Sequence, residues 1–213
     1  MLHSDKKLKF EMLVENVSRC NLCTRMAGRT RVLSGKNGSI DSKIIFIGEA
    51  PGRLGADRTG IPFFGDQTGQ NFERLLQSAN LTRQHIFITN AVLCNPRDEN
   101  GNNCTPNQEE IRNCSLHLSI LIDIIKPDFI VPLGNCALRS LDIIEAHQIE
   151  LRQAVRKQTK WGEYIVVPMY HPGPRAAIHR SIVEQKADFS FLGEIFKAGK
   201  VQEESSSGEI LSV

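Results

Sequence analysis

Four of the six cysteines fall into two groups whose spacing could bind a metal centre. Cys20 and Cys23 stand in the segment Cys-Asn-Leu-Cys, where a two-residue spacer lets two thiolates bind one centre. Cys94 and Cys114 lie 20 residues apart in mid-chain, so only a folded domain could bring the two pairs together. All-thiolate ligation suits zinc or an iron–sulfur cluster. The simpler alternative is a set of unrelated buried thiols, because free cysteine is often buried.

A glycine-rich loop is the second feature that could do chemistry. It runs from Gly48 to Gly69 and directly follows the apolar run Lys43–Gly48. Its glycines allow the backbone to approach a ligand closely. The loop lacks the Lys-Ser/Thr ending of a P-loop and the fingerprint of a dinucleotide site. We therefore do not expect a nucleoside triphosphate site.

Polar residues also follow three other apolar, β-branched runs that we interpret as strands. These are Asn90 at the end of Ile86–Asn90, Gly134-Asn135 after Asp128–Leu133, and His171-Pro172-Gly173 after Tyr164–Tyr170. Parallel strands place their carboxyl ends at one edge of a sheet, and ligands of α/β folds bind there. We therefore expect the first loop and these three segments to form one site.

Helical segments alternate with the predicted strands. They are Gln70–Ala79, a helix with Thr105 as N-cap and Pro106 at its first position that ends near Pro127, Cys136–Ile143 and Ser181–Phe196. Such alternation implies a mostly parallel sheet covered on both faces. We therefore predict an α/β fold, a three-layer α/β/α sandwich with a central four-stranded, mostly parallel sheet. It would form one domain over residues 1–198, followed by a disordered tail at 199–213.

The composition is that of an ordinary globular domain, with 213 residues, 40% of them hydrophobic and 23% charged. No stretch approaches the roughly 18 apolar residues of a membrane span. The first residues run into charge without a signal-peptide core, so we expect a cytoplasmic protein with reduced cysteines and no membrane partner. A net charge of +2 means that any nucleic-acid surface must be local.

Taken together, these motifs resemble the uracil-DNA glycosylase superfamily. The resemblance lies in the loop Gly48–Gly69, in Ile-Thr-Asn-Ala-Val before Cys94, and in His-Pro-Gly at His171. The N-terminal Cys-x-x-Cys, followed by Gly-Arg-Thr-Arg-Val at 28–32, is similar to the iron–sulfur branches, families 4 and 5. It implies a 4Fe-4S cluster, with zinc as the alternative occupant, bound by Cys20, Cys23, Cys94 and Cys114. Because hydrolysis needs no electron transfer, we expect that centre to be structural.

The sequence combines features of both branches. Gly-Glu-Ala-Pro-Gly at 48–52 is similar to family 4, whereas Gly55–Gly60 and Gly-Asp-x-Thr-Gly at 65–69 are closer to family 5. We favour family 5, because the match through the first loop is uninterrupted. The implied activity is hydrolysis of the bond between uracil and deoxyribose in DNA, which leaves an abasic site. The alternative within this class is a broader, family 5-like range that includes hypoxanthine.

The resemblance also implies roles for the residues that would hold the base. Excision makes the sugar cation-like and releases uracil as an anion, so a donor is needed at the base and negative charge near the sugar. His171 is expected to donate to the uracil oxygen, and Asn90 to pair its amide with the edge of the base. Phe63 is expected to stack on the flipped base and Phe64 to point into the core, although the two could exchange roles.

The acidic residue could come from two positions. Asp57 is our first candidate for the carboxylate that orients water or stabilises the sugar cation, although it could be only an ion-pair partner of Arg58. Glu49 is the second candidate, and it could instead order the loop. Ala50 occupies the position of the catalytic acid of family 1 enzymes. Gly52 stands where those enzymes carry an aromatic that blocks the thymine methyl group, so a broader base range is a hypothesis.

DNA contact is expected at the same edge of the sheet. Arg175 could enter the space left by the flipped nucleotide or bind phosphate, and Arg180 is a further phosphate candidate. Cys104 and Cys136 are expected to be plain thiols. The predicted partner is DNA that contains uracil or another deaminated base, and we expect a monomer. The alternative of another class is a non-catalytic iron–sulfur or zinc module that binds DNA or carries out redox chemistry.

Overall fold

The computed structural model of the protein describes the fold of residues 2–208 and the side chains of residues 4–198. The elements are α1 (Leu2–Ser18), β1 (Ile44–Gly48), α2 (Ala56–Thr59), α3 (Gln67–Ser78), β2 (Ile86–Asn90), α4 (Gln108–Ile125), β3 (Phe129–Pro132), α5 (Asn135–Ile144), α6 (Leu151–Ala154), β4 (Thr159–Trp161), β5 (Tyr164–Val166) and α7 (Ile182–Gly208). The tail predicted at 199–213 overlaps the end of α7. Its last residues, 209–213, lie outside the described residues, so the disorder of the tail stays a prediction.

The strands form one sheet in the order β2-β1-β3-β5-β4. β1 is parallel to β2 and β3, β3 is parallel to β5, and β4 is antiparallel to β5 at the edge. The prediction of four strands was therefore wrong by one. The missed strand Thr159–Trp161 has only three residues, and Lys160 in its centre is exposed. Such a short edge strand carries no apolar run that would reveal it.

Helices cover both faces of the sheet. Side chains alternate along β1, so that Ile45 and Ile47 pack under α1, α4 and α5, while Ile44 and Phe46 pack under α3 and α7. All four side chains are fully buried. The predicted three-layer α/β/α sandwich is thus confirmed. No described helix is both long and apolar enough to cross a membrane.

The start of α4 differs from the prediction, which placed the N-cap at Thr105. The observed cap is Asn107, whose side-chain oxygen accepts a hydrogen bond from the Glu110 N–H at 2.9 Å. The Glu110 carboxylate in turn accepts one from the Asn107 N–H at 2.8 Å. This reciprocal capping box needs a carboxylate or amide three residues after the cap, which Gln108 would also have supplied for a start at Thr105. The structure instead uses the Asn107–Glu110 pair, whose carboxylate is also held by two hydrogen bonds from Arg25, of 2.7 and 2.6 Å.

The polar ends of the strands meet at one edge, as predicted. The register aligns Gly48 at the end of β1 with Asn90 at the end of β2. On the other side, Leu133 is bridged to Met169, and the Gly134 N–H donates to the Met169 carbonyl at 2.9 Å. The segments that lead to Gly134 and to the His171 motif therefore run side by side towards that edge.

Candidate active site

A cleft of about 540 Å³ lies at this edge of the sheet. Seven of the predicted site residues line it, namely Glu49, Ala50, Gly52, Phe63, Asn90, His171 and Arg175. Asp57 and Arg180 are not on its walls. A larger, more open groove of about 1280 Å³ runs past Arg139 and Arg152, and it is lined by none of the seven. The cleft is therefore the place where the predicted chemistry would occur.

The imidazole of His171 is held in one tautomer. The Gly173 N–H donates a hydrogen bond to Nδ1 at 3.0 Å. Because a backbone amide can only donate, Nδ1 must accept, and the proton of the neutral ring lies on Nε2. Burial lowers the pKa of His171 to about 4, and the nearby charge of Asp66 opposes this only in part. At neutral pH His171 is thus an uncharged donor through Nε2.

The amide of Asn90 is buried and incompletely paired. The residue is 3% exposed, and its Nδ2 has no hydrogen-bond partner within the described part of the chain. A buried donor without a partner costs about 1–3 kcal/mol, so a ligand that supplies an acceptor would recover this free energy. Gly48 makes room for the amide, because a Cβ there would lie 2.5 Å from the Asn90 Oδ1. The site is shaped for a polar group opposite Asn90.

Phe63 forms an aromatic wall of the cleft and adopts an unusual backbone conformation. Its φ of 49° lies in the left-handed region, which is rare for residues other than glycine. Its ring stacks on Phe72 with centroids 4.7 Å apart and lies 5.7 Å from the ring of His171. The Arg83 guanidinium donates to the Phe63 carbonyl at 2.7 Å and so holds the turn in place.

Phe64, by contrast, is 50% exposed, so the prediction that it points into the core was wrong. The physical reason is the turn at Phe63. The ring of Phe63 fills the space beside Phe72, and the left-handed backbone directs the next side chain outward. Phe63 therefore provides both the core contact and the wall of the cleft.

Glu49 is the predicted carboxylate that reaches the cleft. Burial raises its pKa above the ordinary value of 4.5, and the positive charge of Arg175 offsets part of that increase. None of the hydrogen bonds found among the described residues engages its side chain. A carboxylate with a raised pKa is a stronger base than an exposed one, and Glu49 faces the cleft.

Asp57 lies behind the wall of the cleft. Its side chain is 8% exposed and forms an ion pair with Arg97, rather than with the predicted Arg58. Its Oδ1 also accepts a hydrogen bond from the Thr30 N–H at 3.3 Å. This placement favours Glu49 over Asp57 as the carboxylate next to a bound base.

Asp66 is a second acidic residue of the cleft, and the sequence analysis did not assign it a role. Its Oδ1 caps α3 by accepting from the Gly69 N–H at 2.9 Å. Its Oδ2 would lie 3.0 Å from a Cβ at Gly52 and 2.4 Å from one at Gly55, so these glycines let the carboxylate approach. The signal was present in the sequence, because an Asp at the start of an amphipathic helix is a typical cap.

The two arginines predicted to bind DNA have different surroundings. Arg175 is exposed on the 3₁₀ turn Pro174–Ile178 at the rim of the cleft. Arg180 donates two hydrogen bonds, of 2.8 and 2.6 Å, to Asp188, which is 1% exposed. The guanidinium of Arg180 is therefore already paired with a residue of α7, and Arg175 is the better placed of the two to contact phosphate.

The four predicted ligand cysteines lie within electrostatic range of one another. Burial raises the pKa of Cys94 to about 11 and that of Cys114 to about 12, and in both cases Cys20 and Cys23 add to the increase. The other two thiols are elsewhere. Cys104 accepts a hydrogen bond from Arg25 at 2.9 Å, and Cys136 lies beside Glu49.

All-thiolate ligation is compatible with either a 4Fe-4S cluster or a zinc ion. Among residues 4–198, no three Cys, His, Asp or Glu side chains converge as a site for a metal ion. Polar groups also approach the sulfurs. The Asn113 amide donates to the Cys23 Sγ at 3.6 Å, and the charge of Arg31 opposes the raised pKa of Cys94.

Known proteins are similar in sequence to this chain over most of its length. A family model described as the uracil DNA glycosylase superfamily matches residues 36–194. A type-4 uracil-DNA glycosylase of Thermotoga maritima is 35% identical over 163 residues, which cover 76% of this chain and 80% of that protein. One of Archaeoglobus fulgidus is 31% identical over 197 residues, 89% of this chain and 94% of its own. A type-5 uracil-DNA glycosylase of Pyrobaculum aerophilum is 28% identical over 156 residues, 64% of each chain.

These matches indicate which superfamily the chain belongs to and which of its iron–sulfur branches it resembles more. Both type-4 proteins match with higher identity and over more of this chain than the type-5 protein does, although the first loop resembles family 5. The family model spans all five strands and every residue found to line the cleft. The α/β/α fold and the cleft at the strand ends agree with it. The chain belongs to the uracil-DNA glycosylase superfamily.

Proposed function

We propose that this protein is a uracil-DNA glycosylase that hydrolyses the N-glycosidic bond of a uracil flipped out of DNA and leaves an abasic site. One observation carries the proposal. A single cleft holds both the buried Asn90 Nδ2, which has no hydrogen-bond partner among the described residues, and the neutral His171, which carries its proton on Nε2. The related type-4 proteins, at 31–35% identity, support the same activity.

The amide of Asn90 would recognise the base. Its Nδ2 would donate to a uracil carbonyl oxygen, and its Oδ1 would accept from the ring N–H. Cytosine presents the reversed pattern, so it would leave both amide atoms unpaired in a buried site. Such mismatched polar groups discriminate strongly between ligands. Phe63 would stack on the face of the base and hold it in the cleft.

The cleavage step places opposite demands on the two ends of the bond. As the C1′–N bond breaks, its electrons move into the uracil ring, and the Nε2–H of His171 would stabilise the oxygen that gains charge. Glu49 would take a proton from the water that attacks C1′. Its negative charge, together with that of Asp66, would favour the cation-like sugar. The neutral His171 adds no positive charge beside that sugar.

The cysteine site would hold a 4Fe-4S cluster on Cys20, Cys23, Cys94 and Cys114, with zinc as the less favoured occupant. When bound, the cluster would supply cross-linking of distant segments rather than electron transfer. The observation that supports this is proximity, because Cys20 and Cys23 lie close enough to Cys94 and Cys114 to influence the pKa of both thiols.

A second candidate function is excision of hypoxanthine as well as uracil. The family 5-like first loop and the absence of an aromatic at Gly52 favour it. The space at Gly52 is not empty, however, because the Asp66 carboxylate would lie 3.0 Å from a Cβ there. Uracil is therefore the favoured substrate base.

The monomeric state and the cytoplasmic location of the protein are also proposals.

The test is single-turnover cleavage of oligonucleotides that contain uracil, hypoxanthine, or thymine opposite guanine. We expect excision of uracil that falls by about 10²–10⁴-fold in His171→Ala. His179→Ala is the matched control, because His179 is exposed and lies outside this cleft. Metal-loaded protein that excises no base would favour the non-catalytic DNA-binding or redox module instead.

A further inference from the structure

Asp57 is the centre of a polar network whose members come from the cysteine-bearing segments. Its carboxylate is paired with Arg97, and Thr30 contributes both its N–H to Oδ1 at 3.3 Å and its hydroxyl to the Asp57 carbonyl at 2.6 Å. Thr30 follows Cys23 by seven residues, and Arg97 follows Cys94 by three. The three contacts therefore join Asp57 to both halves of the cysteine site.

The same network continues to the wall of the cleft. The Arg97 Nε donates to the Asn95 Oδ1 at 2.6 Å, and the Asn95 amide donates to the Pro51 carbonyl at 2.6 Å. The Asn95 amide also donates to the Asn103 Oδ1 at 3.0 Å, which in turn accepts from the Arg53 N–H at 2.9 Å. Pro51 and Asn95 both line the cleft, so the network ends on the surface that would contact the substrate.

A second connection runs through the backbone. The Asp57 N–H donates to the Gly52 carbonyl at 3.1 Å. Gly52 lies on the wall of the cleft beside Asp66. The side chain of Asp57 thus faces the cysteine-bearing segments while its backbone holds the first loop. A general base must lie within hydrogen-bond reach of its water, and both oxygens of Asp57 are already engaged away from the cleft.

We infer that Asp57 is a positioning residue, which fixes the Pro51–Gly52 wall of the cleft to the two cysteine-bearing segments through Arg97 and Thr30. This inference rests on the proposed function. It assigns the acidic role in the reaction to the carboxylates that face the cleft, and it makes the order of the first loop depend on the cysteine site. Loss of the group bound by the cysteines would loosen the partners of Asp57 and, through them, the wall.

The first test is a double-mutant cycle in the full chain with Asp57→Asn, Arg97→Met and the double variant. We expect each single change to lower single-turnover uracil excision by about ten- to a hundredfold, because a displaced wall misplaces the base. The double variant should lose little more than either single variant, because both remove one shared interaction. Asp5→Asn breaks the exposed 2.9 Å pair with Lys9 and should leave excision unchanged.

The second test is hydrogen exchange, which does not depend on glycosylase activity. Backbone amides of residues 51–58 should exchange faster in Asp57→Asn, in Arg97→Met, and in wild-type protein after treatment with a metal chelator. A catalytic Asp57 predicts the opposite pattern, in which Asp57→Asn abolishes excision, Arg97→Met does not, and exchange is unchanged. That pattern would overturn the inference. If wild-type protein excised no base, the proposed function would fail, and the exchange data would still decide the role of Asp57.

Discussion

At the scale of single residues, the environment of Glu49 leads to a prediction about pH. Glu49 must be ionised to accept a proton, and burial raises its pKa above 4.5. Excision should therefore fall as the pH drops through this raised pKa, at a higher pH than for an exposed carboxylate. The pH profile of the single-turnover rate measures this.

Glu49→Gln provides the control for that profile. The variant should be slower and should lack the limb that Glu49 causes, because the amide does not titrate. Any remaining loss of rate should occur near pH 4, where His171 gains a second proton. An unchanged acid limb in Glu49→Gln would assign the titration to another group.

The residues of the cleft differ in how far the sequence could predict them. Asn90 and His171 could be placed because Asn90 ends one apolar run and His171 follows another, and parallel strand ends meet at one edge. The surroundings of Asp57 could not be predicted, because its partner Arg97 lies 40 residues away in the chain. The exposure of Phe64 depends on the backbone angle of Phe63, which no residue pattern in this loop reveals.

At the scale of elements, the cap of α4 leads to a prediction about stability. Asn107→Ala removes the side-chain acceptor of the capping box and should lower the free energy of unfolding by about 1 kcal/mol. Chemical denaturation of metal-loaded protein measures this. Thr105→Ala is the matched control, because the structure gives Thr105 no capping role, and its effect should be smaller. A larger loss of stability in Thr105→Ala than in Asn107→Ala would indicate that the helix begins at Thr105.

Two elements that the sequence failed to predict were missed for different physical reasons. The edge strand β4 pairs locally with β5 through a turn at Gly162, whose φ is +56°, but its three residues form no apolar run. The helix α1 is buried on one side only, through residues such as Leu13 and Val17, and it packs against α4, which is distant in the sequence. Strands β1 and β2, by contrast, are fully buried and could be recognised from their apolar runs.

At the scale of the whole molecule, the proposed cysteine site would join the N-terminal segment to α4 and to the loop after β2. Cys20→Ser and Cys114→Ser should each lose bound iron and lower the melting temperature, because metal binding contributes to the folding free energy. Wild-type protein should hold about four iron atoms per chain. Metal analysis and visible absorbance measure both quantities.

Two other cysteines serve as controls for the cysteine site. Cys104→Ser and Cys136→Ser should keep their iron, because the first thiol contacts Arg25 and the second lies beside Glu49. Loss of iron in Cys104→Ser would mean that the loop between Cys94 and Cys114 supplies a ligand. If freshly purified protein were colourless and held one zinc ion per chain, the four cysteines would be ligands of that single ion and not of a cluster.

DNA binding by a molecule of net charge +2 must depend on a local basic surface rather than on overall attraction. Arg175 at the rim of the cleft is the arginine best placed to contact phosphate, whereas Arg180 is held by the buried Asp188. Arg175→Ala should weaken binding to uracil-containing DNA and reduce the slope of log K against log salt by about one, with unchanged stability.

Arg180→Ala is the control and should leave the salt slope unchanged but lower the free energy of unfolding. It leaves the carboxylate of Asp188 poorly paired in the core, where removing one partner is strongly destabilising. Titrations at several salt concentrations, combined with denaturation, separate the two effects. If Arg180→Ala altered the salt slope while Arg175→Ala did not, the DNA would have to approach over α7 rather than over the rim of the cleft.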